Sequence, residues 1–298
     1  MNITYVINML ISGLKLGSIY AIVAIGYSIV YGILRLINFA HGDIMTVGGY
    51  MILFLMNSMG VPILASVLIS VGFSIGVGLL IERVAYRPLR DRSEEATLIS
   101  SLAVSALLQN LLQMIFSAQR QPFMLPTSLI QVHRIGNVNL STVNILTFVI
   151  TAAFLILTYL MLKKTRIGKA MRASAENLQA ARLMGESVTR VAMTAFAVGS
   201  GRADVAGLLL AGENKTIYPS LGFVPGLKAF CAAVIGGIGS GGGAVTGACI
   251  IGVAEMLFAG LMPTTMTAYR DAFVFLLMIL VLLFCPQGLF GSRETSRS

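Results

Sequence analysis

The chain has 298 residues, of which 56% are apolar and only 11% charged, and it carries a formal net charge of +9. A soluble domain is roughly 25% charged and about 45–50% apolar, so this composition excludes a soluble globular domain and, more firmly, a disordered chain. A helix that crosses a bilayer needs about 20 apolar residues, so eight of them would use about 160. That leaves room for loops and none for a soluble domain, so the expectation is one all-α polytopic membrane unit over residues 1–298.

In chain order, Met1–Leu14 lacks a basic n-region, which argues against a cleaved signal peptide. Apolar runs over 6–31, 43–58, 61–82, 96–116, 143–162, 191–212, 227–240, 244–261 and 270–286 predict eight or nine transmembrane helices. Two of them, 43–58 and 227–240, are short and read as half-helices or re-entrant segments. Each half of the chain also holds an interruption. The first, Arg35 to Asp43, contains Asn38, His41, Gly42 and Asp43; the second, Gly236 to Gly243, contains Gly236, Gly237 and Gly239. Irregular backbone at membrane depth is tolerated only where protein or a water-filled cavity satisfies it, and interrupted segments in both halves point to a translocation pathway. Two ordinary cytoplasmic turns are the alternative.

Single polar residues inside the apolar runs have two readings each. His41 is expected to cap or brace the first break, with a proton relay as the alternative. Lys15 either snorkels outward or lines the pathway. Glu255 is expected to hydrogen-bond a neighbouring helix, with a functional role as the alternative. Arg202 and Asp204 are two apart, so they point to different faces of a helix and do not pair; either that helix faces a polar interior or the local sequence is anomalous. Gly72, Gly76 and Gly78 are expected to mark close helix packing.

Orientation follows from lysine and arginine. Fourteen of the 21 lie at Arg35, in 83–95, in 163–190 and at Arg293 and Arg297; five (Arg120, Arg134, Lys215, Lys228 and Arg270) fall on the opposite side. The richer side should be cytoplasmic. With nine spans this places the N-terminus outside, the C-terminus in the cytoplasm, and 117–142 in an external loop. The positive charge is thus a property of cytoplasmic loops rather than a sign of nucleic acid.

Residues 163–190 are too polar for a membrane. They read as a cytoplasmic, amphipathic helix over 170–185, with Arg172 and Glu176 on one face, Met171, Ala175 and Leu178 on another, and Gly185 as the C′ residue. Such a helix could lie on lipid or dock a soluble partner in a groove. Gln179-Ala180-Ala181-x-x-x-Gly185 resembles the coupling motif of ABC importer permeases, with Gln where Glu is usual. Three longer stretches resemble the permeases of high-affinity branched-chain amino acid ABC importers: Gly168-Lys169-Ala170-Met171-Arg172-Ala173-Ser174-Ala175-Glu176-Asn177, Ile37-Asn38-Phe39-Ala40-His41-Gly42-Asp43, and Pro219-Ser220-Leu221-Gly222-Phe223 with Gly226-Leu227-Lys228. So does the closing Pro286-Gln287-Gly288-Leu289-Phe290-Gly291.

The resemblance implies a multi-pass subunit of a bacterial inner membrane that forms part of the pathway for branched-chain amino acids. Its expected partners are a second related permease, two cytoplasmic ABC ATPase subunits and a periplasmic or extracellular binding protein. Urea, amide and other amino-acid permeases look similar. It also implies that Arg172, Glu176, Gln179, Ala180, Ala181, Arg182 and Gly185 dock an ATPase, with Ala181 seated in its groove. The chain has no Gly-x-x-x-x-Gly-Lys-[Ser/Thr], no Gly-x-Ser-x-Gly and no paired Cys or His cluster, so no ATP hydrolysis, catalytic residue, metal or cofactor is expected on it. Cys231, Cys249 and Cys285 read as apolar fillers.

Overall fold

A computed structural model describes residues 3–90, 92–126, 129, 131–135 and 138–290; Gly291, Arg293, Arg297 and the side chains of His133 and Arg134 lie outside what is described. Among the described residues the helices are α1 (Ile3–Leu34), α2 (His41–Ser58), α3 (Ile63–Ile81), α4 (Glu94–Phe116), α5 (Thr142–Lys164), α6 (Arg166–Glu176), α7 (Leu178–Leu183), α8 (Val188–Asn214), α9 (Phe223–Gly236), α10 (Gly241–Leu261) and α11 (Arg270–Phe284). Each of the nine predicted apolar runs has a helix within four residues of its bounds. Among the described residues six helices are long and apolar enough to cross a membrane: α1, α3, α4, α5, α10 and the unit ending in α11. Of the rest, α9 is a shorter apolar helix, and α8 carries Arg190, Arg202, Asp204 and Glu213.

The helix starts are written in the sequence. Ser93, Ser141, Thr165, Asn177, Ser187 and Ser240 each accept a hydrogen bond from a backbone N–H of the first turn that follows. This satisfies a donor that the helix itself cannot. The expected single helix over 170–185 is two. Asn177 adopts extended backbone (φ −153°, ψ 108°), ending α6 and capping α7, because an Asn side chain competes well for a backbone donor.

Apolar on all sides, α1 is buried as that pattern requires. It crosses α10 antiparallel at backbone distance: a side chain on Gly13 or Gly17 would strike the backbone of Val253 or of Ala248 and Cys249. Small residues let two helices approach so closely where lipid offers no hydrophobic drive. On α3, Ser66, Ser70, Ser74 and Gly78 recur every four residues on one buried stripe, and Gly78 packs on Ser200 of α8. Gly72 and Gly76, by contrast, have nothing within 4 Å of where a Cβ would stand; they serve no close crossing within this chain. Much of α4, α5 and α11 faces outward.

The described residues of the 117–142 loop include short strands. β1 (Gln121–Pro122) pairs antiparallel with β4 (Thr216–Ile217) after α8, and β2 (Val132–Ile135) pairs with β3 (Val138–Ser141). Phe123 and Leu125 are buried, Leu125 against Gly212.

Candidate functional site

Helix α1 ends at Leu34, and Arg35 takes a positive φ of 52°. The chain then turns back into the bundle without helical structure until α2 begins at His41. The break is held by side chains. Tyr86 donates its hydroxyl hydrogen to Asn38 Oδ1 at 2.8 Å. His41 is buried between Gly26 and Gly199, edge-on to Tyr27 at 4.8 Å. Asp43 accepts from Ser105 at 2.5 Å and from Gln109 at 2.9 Å, both on α4. Gly26 and Gly199 lie well inside α1 and α8, so α2 starts deep in the bundle.

Gly42 does not meet the second break. It lies against Gly222 and Gly226 at the start of α9, so close that a side chain on any of the three would strike the others' backbone. Gly222 N–H donates to Thr46 Oγ1 at 2.8 Å. The first turns of α2 and α9 are therefore side by side, two helix N-termini meeting inside the protein. The Gly236–Gly243 stretch is a separate hairpin. Its non-helical part runs from Gly237 (φ 98°) through Gly239 (φ 90°) to Ser240, conformations that glycine adopts without strain. Gly236 and Gly243 touch across it. Gly239 N–H donates to Ser28 of α1 at 3.2 Å. The sequence placed a break in each half; the structure brings the first to α9 and the second to α1.

In the polar segment, Arg172, Glu176, Gln179, Ala180, Arg182 and Gly185 are exposed. Ala181, expected in a partner's groove, is instead 4% exposed and turned into its own chain. The reason is the break at Asn177, which re-aims the short helix that follows. Gly185 is the C′ residue as expected: at φ 85° it donates to Arg182 O, and Glu186 donates to Ala181 O, both at 3.0 Å. The apolar residues that point away are Leu183 and Met184, 89% and 85% exposed. Behind them α6 packs on α1, α5 and α8.

The charges inside the bundle have polar partners but not always opposite charges: Arg202 and Asp204 form no ion pair among the described residues, and Arg202 Nη1 and Asp204 Oδ2 have no hydrogen-bond partner there. Arg202 and Asp204 do part to opposite faces. Asp204 accepts from Ser70 at 2.5 Å and Ser74 at 2.8 Å on α3, while Arg202 donates to Thr158 of α5 beside the Phe154 ring. Lys15 neither snorkels free nor stands alone; it pairs with Glu213 of α8. Glu255 goes beyond a single helix-to-helix hydrogen bond: it accepts from Lys228 at 2.7 Å and Tyr20 at 3.0 Å and pairs with Arg270 at 3.0 Å. Lys228, counted from sequence as an external-loop cation, is 2% exposed and also pairs with Asp271 at 2.6 Å. Its apolar neighbours on both sides, Leu227 and Ala229, were the available signal. Burying such a set requires near-complete pairing, since an unmatched charge costs about 3–5 kcal/mol.

A predominantly helical bundle with apolar spans, two helix starts meeting inside it and a polar helix pair set apart is the architecture of a polytopic membrane protein. Residues 9–282 match the family described as branched-chain amino acid transport system / permease component, and the chain belongs to that family. It is 38% identical to the Pseudomonas aeruginosa high-affinity branched-chain amino acid transport system permease protein BraD over 99% of both chains. It is 36% identical to the Salmonella typhimurium permease protein LivH over 98% of both. Among solved structures, PsaBC from Streptococcus pneumoniae in complex with Fab aligns over 96% of this chain and 94% of that one, with a TM-score of 0.51 at 15% identity. That similarity speaks to fold alone.

Proposed function

We propose that this chain is a permease subunit that carries branched-chain amino acids across a bacterial inner membrane as part of an ABC importer. The observation that carries this is the family match across residues 9–282, together with near-complete coverage of relatives named for that transport. ATP hydrolysis belongs to two partner ATPases, substrate selection mainly to a periplasmic or extracellular binding protein, and a second related permease completes the pathway. In this reading the chain has nine membrane segments, with the N-terminus outside and 163–190 and the C-terminus in the cytoplasm; the lysine and arginine distribution supports it.

The geometry supports a mechanism. The exposed side of α6 and α7, with Arg172, Glu176, Gln179, Ala180, Arg182, Gly185 and the apolar pair Leu183 and Met184, seats in an ATPase groove. Closure of the ATPases on ATP moves α6, which pulls on α5 and α1 and on α8 through their shared packing. Helix α8 in turn packs on α2, whose first turn meets α9, so the junction of Gly42, Gly222 and Gly226 is where this motion reaches the pathway. Asn38, His41 and Asp43 keep the break rigid while it moves.

The test is reconstitution with the ATPases, second permease and binding protein, measuring uptake of labelled leucine. ATP-dependent leucine uptake is expected. Uptake that persists without the ATPases would make the chain a secondary transporter, and uptake of urea but not leucine would assign it to the amide carriers.

A further inference from the structure

The ion pairs around Glu255 do more than tie helices together: they line an open space. A cavity of about 390 Å³ lies between α1, α8, α9, α10 and α11, within the about 300–1,000 Å³ typical of small-molecule sites. Its floor is Lys228 and Glu255, 2% and 0% exposed; its rim is Glu213, Arg270 and Asp271, at 38%, 43% and 47%. Leu16, Leu210, Val224 and Met256 form an apolar wall beside the charges. With Lys15 held on Glu213, three cations (Lys15, Lys228, Arg270) face three carboxylates (Glu213, Glu255, Asp271), so the formal charge of the set is zero.

We propose that this cavity is a transit site for an α-amino acid zwitterion with an aliphatic side chain, an inference that rests on the permease reading above. A pair network that only braced helices would be closed and dry; this one borders a void and leaves its outer members half in solvent. A zwitterion matches it in three ways. Its carboxylate replaces Asp271 as the partner of Lys228 and Arg270. Its ammonium takes the released Asp271. Its side chain lies along Leu210, Val224 and Met256. No net charge enters, so every group stays paired. A molecule with only one of the two charges leaves one member of the network unmatched in a low-dielectric setting. Because the network is complete without a guest, exchange is reversible and binding is weak, as passage requires.

The experiment uses the assembled complex in nanodiscs carrying Val224→Cys, a near-isosteric change. A charged methanethiosulfonate reagent is added, and modification at position 224 is read by peptide mass spectrometry, which separates it from the native Cys231, Cys249 and Cys285. Leucine at millimolar concentration should slow modification fivefold or more. Leucinamide, lacking the carboxylate, and 4-methylpentanoate, lacking the ammonium, should slow it less than twofold. Ser12→Cys, another lining position on α1, repeats the measurement if the first variant does not assemble. Equal rates with and without leucine, equal protection by all three compounds, or no modification at either position would each overturn the site. Leucine uptake by the wild-type complex is measured in parallel. Uptake without protection refutes the transit site and leaves the permease reading standing; absence of ATP-dependent leucine uptake refutes the permease reading itself.

Discussion

Replacing Leu183 and Met184 together by aspartate should detach the permease from its ATPases while leaving the membrane domain intact. Both side chains stand 89% and 85% clear of their own chain, so neither contributes to the fold. Full burial of a Leu or Met side chain is worth roughly 1.5–3 kcal/mol. Seating both in a groove therefore contributes about 3–6 kcal/mol, or about 10²–10⁴ in affinity, before the added cost of placing two carboxylates there. Co-purification of the ATPases with tagged permease should fall at least about a hundredfold on that scale, and ATP-driven leucine uptake should fall with it. Detergent-solubilised permease should keep its wild-type thermal midpoint. Ala181→Trp gives the converse pattern. Position 181 is buried within the chain, so overpacking costs about 1–3 kcal/mol of stability and the thermal midpoint drops. Wild-type ATPase recovery and uptake by the Leu183→Asp, Met184→Asp protein would refute the assignment of this surface to docking.

Other positions give independent checks. Gly42→Val must displace Gly222 and Gly226, whose backbone stands within about one atom's width; the thermal midpoint of purified permease should fall by the equivalent of at least about 1–3 kcal/mol, whereas Gly72→Val, in open space, should leave it unchanged. Ser70→Ala with Ser74→Ala strips Asp204 of both its donors and should cost about 3–5 kcal/mol, more than Asp204→Asn, which keeps an acceptor and carries no charge; the order of the two midpoints decides it. For topology, an impermeant thiol reagent added to intact cells should label Gln131→Cys and miss Gln179→Cys, and labelling of position 179 would reverse the proposed orientation.

Hydrophobic runs report which segments leave water, so the helix spans were legible to within four residues. The caps at Ser93, Ser141 and Ser240 and the C′ role of Gly185 were equally local, because each depends on a neighbour two to four positions away. What was not legible depends on which helix stands next to which. The breaks at Asn38 to Asp43 and at Gly236 to Gly243 both interrupt apolar sequence, yet Gly42 finds Gly222 and Gly226, some 180 residues on, in the stretch between two predicted runs. Lys228 reads as a loop cation because charge in a line of residues signals water; it signals a buried partner only once Glu255 is folded against it at 2.7 Å. Ala181 failed for the same reason in reverse: its motif names a partner's groove, but the direction of a side chain on a six-residue helix is set by the break at Asn177. The pattern has a physical consequence for where function sits in this molecule. Residues whose roles were local in sequence, such as the caps and the C′ glycine, fix shape. Residues whose roles appear only in three dimensions, the Gly42–Gly222 crossing and the Lys228–Glu255–Arg270–Asp271 set, join elements that the proposed alternating access would move against one another. A contact between distant segments can be exchanged without unfolding either helix, whereas a cap cannot, so the working parts of a carrier are expected among the former.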